Sequence, residues 1–226
     1  MECRQRRKNN PGKVRTSLQP LNTYIYLLRL IRVTEANLNK VKNLVNDRVR
    51  DIKDIQHGWI HLQRVANFAQ KIVKTLKVEN KIDVNVLLAA CYLHDINHTF
   101  YSPGLLNYFL ERKRLKKVLP KVLAELDIDV GEKAIIENAI YLSPFSFPFK
   151  KLNRQGDLYT KILQDADTLD FFSKQRELSF GRAKQNILFY RVLGLFSAQS
   201  LAYGRKNIAY YLNFPQISKE LYVQKS

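Results

Sequence analysis

Apolar residues recur at three- and four-residue steps along most of the chain. Ile55, Trp59, Leu62, Ala66, Ala69, Ile72, Val73 and Leu76 form one stripe, the signature of a long amphipathic helix. Asp83 stands where an N-cap belongs, ahead of the apolar run Val84 to Leu93. Leu105 to Glu125 reads as helix, with Pro120 as a break or a new first turn. Gly131 to Leu142 reads as another. Pro144, Pro148 and Gly156 make Ser143 to Gly156 a loop. Helices are then expected over Asp157 to Phe172, Gly181 to Ala202 and Lys206 to Leu212. Alternating strand patterns are almost absent. The pattern predicts one all-α domain over residues 21–226.

The first 20 residues break this pattern. They hold Arg4, Arg6, Arg7, Lys8, Lys13 and Arg15 against Glu2, with few large apolar residues, and read as a flexible basic tail. The tail does not account for all of the charge. The 226 residues carry 38 Lys and Arg against 20 Asp and Glu, a formal net charge of +18. Such an excess favours polyanionic partners, either nucleic acid or small phosphate compounds. Arg112, Lys113, Arg114, Lys116, Lys117 and Lys121 crowd one helix, and Lys150, Lys151 and Arg154 lie in the proline loop.

Composition excludes other classes. With 46% hydrophobic residues the chain is not disordered throughout, and 8 Gly and 7 Pro exclude a collagen-like repeat. Cys3 and Cys91 are too few for a disulfide framework. Cys91 sits in an apolar run, which suits a reducing interior. No stretch reaches the ~20 uninterrupted apolar residues of a membrane span, and no signal-peptide core follows the basic start. The expectation is a cytoplasmic protein without a membrane partner.

Chemistry-bearing residues are few and clustered. The only histidines are His57, His61, His94 and His98, two pairs with four-residue spacing. Asp95 follows His94 directly, and Asp165, Asp167 and Asp170 form an acidic cluster in a basic chain. Imidazole and carboxylate together suit one divalent ion: Mn, Fe, Ni, Zn or Mg. His57 and His61 share a helix face and can reach one cleft. His94 and Asp95 can turn toward one ion if the helix ends beside them. Taken singly, His61 and His98 also read as ordinary core or surface side chains, and Asp167 and Asp170 as a solvated face or a cap.

Three segments carry a resemblance. Asp54 to Val65 holds His57, His61 and Arg64-Val65. Leu87 to Ile96 is an apolar helix ending in His94-Asp95. Ile162 to Asp170 contains Asp-Ala-Asp-Thr-Leu-Asp. In this order they resemble the HD-domain metal-dependent phosphohydrolases, and the third resembles a motif of a bacterial branch of small HD hydrolases. The likeness covers residues 50–185. It implies a compact helical bundle and hydrolysis of a phosphomonoester, nucleotide or phosphodiester by metal-activated water. Carried over residue by residue, it implies His57, His94, Asp95 and Asp165 as metal ligands, with Asp95 and His98 catalytic. His61, Arg64 and His98 would stand in the outer sphere of the ion or bind substrate phosphate oxygens, and Arg64 taken singly reads equally as a surface or structural ion pair. Leu142 stands where the branch has a histidine, which favours a single ion. Ile96-Asn97-His98 lacks the acidic residues of relatives that hydrolyse guanosine tetraphosphate or nucleoside monophosphates. The second reading is a weakly catalytic HD scaffold that binds nucleic acid through the basic tail and helix.

Overall fold

A computed structural model of the chain describes residues 33–50, 52, 56–102, 105–143 and 156–222. Arg32–Ser226 form one compact unit, and residues 1–31 lie outside the described residues. The basic tail expected over residues 1–20 therefore lies outside them, as do Lys150, Lys151 and Arg154 of the proline loop.

The described residues are helical and contain no strand. Helix α1 is Glu35–Val49, α2 is Trp59–Leu76 and α3 is Val84–Leu93. A 3-10 turn, Ile96–Thr99, follows. Then come α4 (Leu105–Ala124), α5 (Val130–Leu142), α6 (Leu158–Phe171), α7 (Lys174–Asn186) and α8 (Leu188–Lys206). A second 3-10 turn (Ile208–Tyr211) and the short α9 (Ile217–Leu221) complete the order. No helix among the described residues is long and apolar enough to cross a membrane.

Helix α3 explains the packing. Its residues Val86 to Leu93 are all buried. A helix that is apolar on every side can only be stable when surrounded. It packs against α1, α2 and α5, and α2 packs in turn against α6. The α2 stripe (Leu62, Val65, Ala66, Ala69, Ile72 and Val73) is buried as its spacing predicts. Leu62, Val65, Ile72 and Val73 each contribute roughly 1.5–3 kcal/mol by leaving water, the two alanines less.

Helix ends are set by local chemistry. The Asp83 carboxylate accepts the N–H groups of Asn85 and Val86 at 2.8 and 3.3 Å, satisfying two of the orphan donors of α3. Asp157 does the same for Thr160 at 2.8 Å at the start of α6. Lys77 closes α2 at φ 54°, with its N–H turned back to the Val73 and Lys74 carbonyls.

Two expectations are corrected. Pro120 neither breaks nor starts a helix: α4 runs through it. Pro120 and Lys116 are both exposed, so the Lys116 carbonyl that loses its N–H partner can face water. Gly181 does not open a helix either. It lies inside α7, which begins after Ser173, whose hydroxyl accepts the Arg176 N–H at 3.1 Å. The break falls at Ile187, between α7 and α8.

Candidate metal centre

The four histidines meet between the start of α2 and the end of α3. His61 lies in the first turn of α2, and His94 caps the C-terminus of α3. Asp95 follows at φ −104°, ψ 16°, outside helical geometry, and leads into the 3-10 turn. The helix thus ends where adjacent residues need it to end, and both side chains turn the same way. The distances show it. His61 Nε2 lies 3.3 Å from His94 Nε2 and 3.2 Å from Asp95 Oδ2, and His94 Nε2 lies 3.5 Å from the same oxygen. Asp167, on α6, brings Oδ1 to 3.6 Å from His61 Nε2 and 3.9 Å from His94 Nε2.

The outward nitrogens decide what the inward ones can do. His94 Nδ1 lies 2.7 Å from the Cys91 carbonyl, which only accepts. His61 Nδ1 lies 2.7 Å from Asp170 Oδ2, a carboxylate oxygen. Both Nδ1 atoms therefore carry the proton and donate it, an assignment that follows from these partners. Each Nε2 then presents a bare lone pair to the other and to two carboxylates. In the neutral rings these four electron-rich atoms point at one another and call for positive charge between them, either a proton on His61 Nε2 held by Asp95 or a bound metal ion.

Donor geometry fits that cation. Ligand bonds of about 2.0–2.2 Å place neighbouring ligand atoms about 3–3.5 Å apart in octahedral or tetrahedral coordination, close to the separations here. The set of two neutral imidazoles and two carboxylates matches a divalent charge. His61, His94 and Asp95 thus form one group able to hold a metal ion, and His57, Asp95 and His98 form a second.

Electrostatics agree. Burial would push the Asp95 carboxyl up, but His94, His57, His61 and His98 around it hold it well below the usual range. Burial and the nearby Arg176 oppose a proton on His61, yet Asp170 and Asp95 outweigh them and its pKa is raised. Asp170 is wholly buried. Burial alone would raise its pKa, but His61, Arg64 and Arg176 keep it ionised. Arg64 donates from Nε and Nη2 at 2.5 and 3.1 Å, and Arg176 Nη1 stands 3.7 Å away. Arg176 also donates to the Gln56 carbonyl, tying α7 to the segment carrying His57.

The remaining expected residues lie as follows. His57 and His98 stack face to face at 3.7 Å between ring centroids, beside Asp95. Tyr190 of α8 lies 3.5 Å from His57 Nδ1, and Glu111 of α4 lies 3.8 Å from His98 Nε2. Arg64 is engaged with Asp170. Asp165 is in neither group. Its carboxylate is fully buried on the other side of α6 and accepts the Asn213 N–H (2.7 Å), Asn213 Nδ2 (2.8 Å) and the Phe214 N–H (2.9 Å). Burial pushes that carboxyl up to about 6, and the Asn213 and Phe214 donors pull against it. Asp165 anchors the C-terminal segment. Asp165→Ala should cost about 2–3 kcal/mol by stranding these donors, and lower the unfolding midpoint by roughly 5–10 °C. A calorimetric scan checks this.

Helix phase could have separated these aspartates. At about 100° per residue, Asp165 and Asp167 lie on opposite faces of α6, whereas Asp167 and Asp170 share one. Arg176 carries no comparable signal, because it arrives by tertiary packing of α7.

An all-helical unit with a His/Asp cation cluster at the end of its central helix defines the class. The chain belongs to the HD-domain family, whose sequence model matches residues 58–171, just over half of its length. Comparison with curated protein sequences returns no match. Among solved structures, the chain is similar to a predicted HD superfamily hydrolase from an uncultured Thermotogales bacterium. The identity is 21%, over 79% of this chain and 97% of that one, with a TM-score of 0.45. At that overlap the likeness adds no argument to the family match.

Proposed function

We propose that the chain is a metal-dependent phosphohydrolase in which His61, His94, Asp95 and Asp167 hold one divalent ion. The observation that carries this reading is the convergence of His61 Nε2, His94 Nε2, Asp95 Oδ2 and Asp167 Oδ1, with the two nitrogens 3.3 Å apart and 3.2 to 3.9 Å from the carboxylate oxygens. When bound, the ion supplies Lewis-acid polarisation of a phosphoryl oxygen and makes a water more acidic.

The chain's own groups do the rest. Asp170 holds the His61 proton on Nδ1 and so keeps Nε2 available, as outer carboxylates do for ligating histidines. Arg64 and Arg176 keep Asp170 charged, so Arg64 acts through Asp170 rather than on the substrate. His57 and His98 lie next to Asp95, within reach of a bound phosphoryl group. They are the groups to hold its oxygens and to move a proton to the leaving oxygen. The exposed cations of α4 raise the local concentration of anionic substrates.

Hydrolysis of p-nitrophenyl phosphate and its bis-ester tests the reading. Protein stripped with a chelator should be inactive, and Mn, Fe, Ni, Zn or Mg added singly should restore turnover. Absence of turnover with every ion in that panel would sink the reading.

A further inference from the structure

The surface beside His98 combines exposed aromatic rings with cations. Phe100 and Tyr101 follow His98 closely. Their N–H groups both donate to the Asn97 carbonyl at 3.1 Å, which fixes this backbone against the 3-10 turn that carries His98. Phe100 is 50% exposed. A guanidinium meets each ring: Arg48 lies 5.5 Å from the Phe100 centroid and Arg114 lies 4.3 Å from that of Tyr101.

Helix α4 packs along the 3-10 turn. Its contacts run in order along one face. Glu111 reaches His98, Arg114 covers Tyr101 one turn later, and Glu125 just beyond the helix pairs with Arg48 at 2.6 Å. Beside that face, Lys113, Lys117 and Lys121 are exposed, against Glu111 as the one acid in the helix sequence; Arg112 and Lys116 are exposed on the far side, Lys116 over the Tyr141 ring of α5. Phe109, on the same helix, is 73% exposed.

We propose that this surface binds single-stranded nucleic acid, with the cations of α4 along the phosphates, a base on Phe100 and the strand leading to the His/Asp cluster. The inference rests on the phosphohydrolase reading and deepens it by naming the substrate class. The ligand chemistry follows from the combination. A free phosphate or an acidic peptide would use the cations and leave the rings idle. A duplex would answer to the cations but keeps its base faces stacked within itself. An unpaired strand offers a phosphate row and open π-faces together, and a base on an aromatic ring next to a guanidinium gains from both.

The test is fluorescence anisotropy on the full chain in chelator, with a labelled 12-nucleotide single strand, a duplex of equal length and an unlabelled mononucleotide competitor. The single strand should bind at least about tenfold more tightly than the duplex. Phe100→Ala should weaken it by about tenfold. Lys113→Glu with Lys117→Glu should weaken it further and flatten its salt dependence. Phe100→Leu, which keeps the apolar volume and removes the π-face, should show the same loss if the alanine variant fails to fold. Equal affinity for duplex, no effect of either Phe100 variant, or displacement by a mononucleotide as effective as the strand itself would overturn the inference. Binding here needs no metal, so the two readings fail separately. A chain that binds the strand but hydrolyses no ester loses the enzyme reading. A chain that hydrolyses esters but binds no strand loses this one.

Discussion

Asp95→Ala is expected to lower phosphate-ester hydrolysis by on the order of 10³-fold or more and to abolish tight divalent-ion binding. Asp95 faces the Nε2 atoms of His61 and His94 at 3.2 and 3.5 Å and also forms a group with His57 and His98. Among the described residues it is the one shared by both candidate ligand groups. Its removal takes out a negative charge on which four imidazoles converge. The fold should survive, because the carboxylate points into the cluster rather than into the apolar core, and the histidines around it can stay neutral once the anion is gone. Steady-state kinetics on protein with unchanged helical content reads the result. Activity within tenfold of wild type would contradict the role given to Asp95.

The second large effect falls on stability. Asp170 is wholly buried and is the common partner of His61, Arg64 and Arg176. Breaking a buried charge network by removing its anion costs about 3–5 kcal/mol, since the cations are left without compensation. Asp170→Ala should lose that much in urea unfolding. Asp170→Asn keeps the volume and one acceptor and should be milder. In the Asn variant metal affinity should still fall by about 10- to 100-fold, because the partner that orients His61 has lost its charge. A loss below about 1 kcal/mol for Asp170→Ala would mean that Arg64 and Arg176 find other partners.

These residues show how far the sequence carries. The all-helical class was legible because α2 keeps one apolar stripe and α3 is apolar throughout, and these periodicities survive without knowledge of neighbours. The turn of His94 and Asp95 toward one point was legible because Asn97, Pro103 and Gly104 follow so soon after the apolar run. Between His57 and His61, four-residue spacing could not choose: it suggested one shared helix face, but α2 begins at Trp59, so His57 lies before the helix and only His61 is in it, and what orients His61 is Asp170, more than a hundred residues away. Asp165 and Asp167 could have been separated by helix phase. What Asp165 does instead depends on Asn213 and Phe214, a contact across about fifty residues that no local pattern announces. The path of α4 through Pro120 depends on which side of the helix meets water, and this too is a tertiary fact.

The most direct test of the metal centre is an equilibrium titration of Mn²⁺ onto chelator-stripped wild-type chain, run beside Asp167→Ala and Asp165→Asn. Saturable binding in the wild type, kept by folded Asp165→Asn and weakened at least about tenfold in Asp167→Ala, is the predicted result. Wild-type protein that binds no divalent ion, or an Asp167→Ala variant that binds as the wild type does, would contradict it.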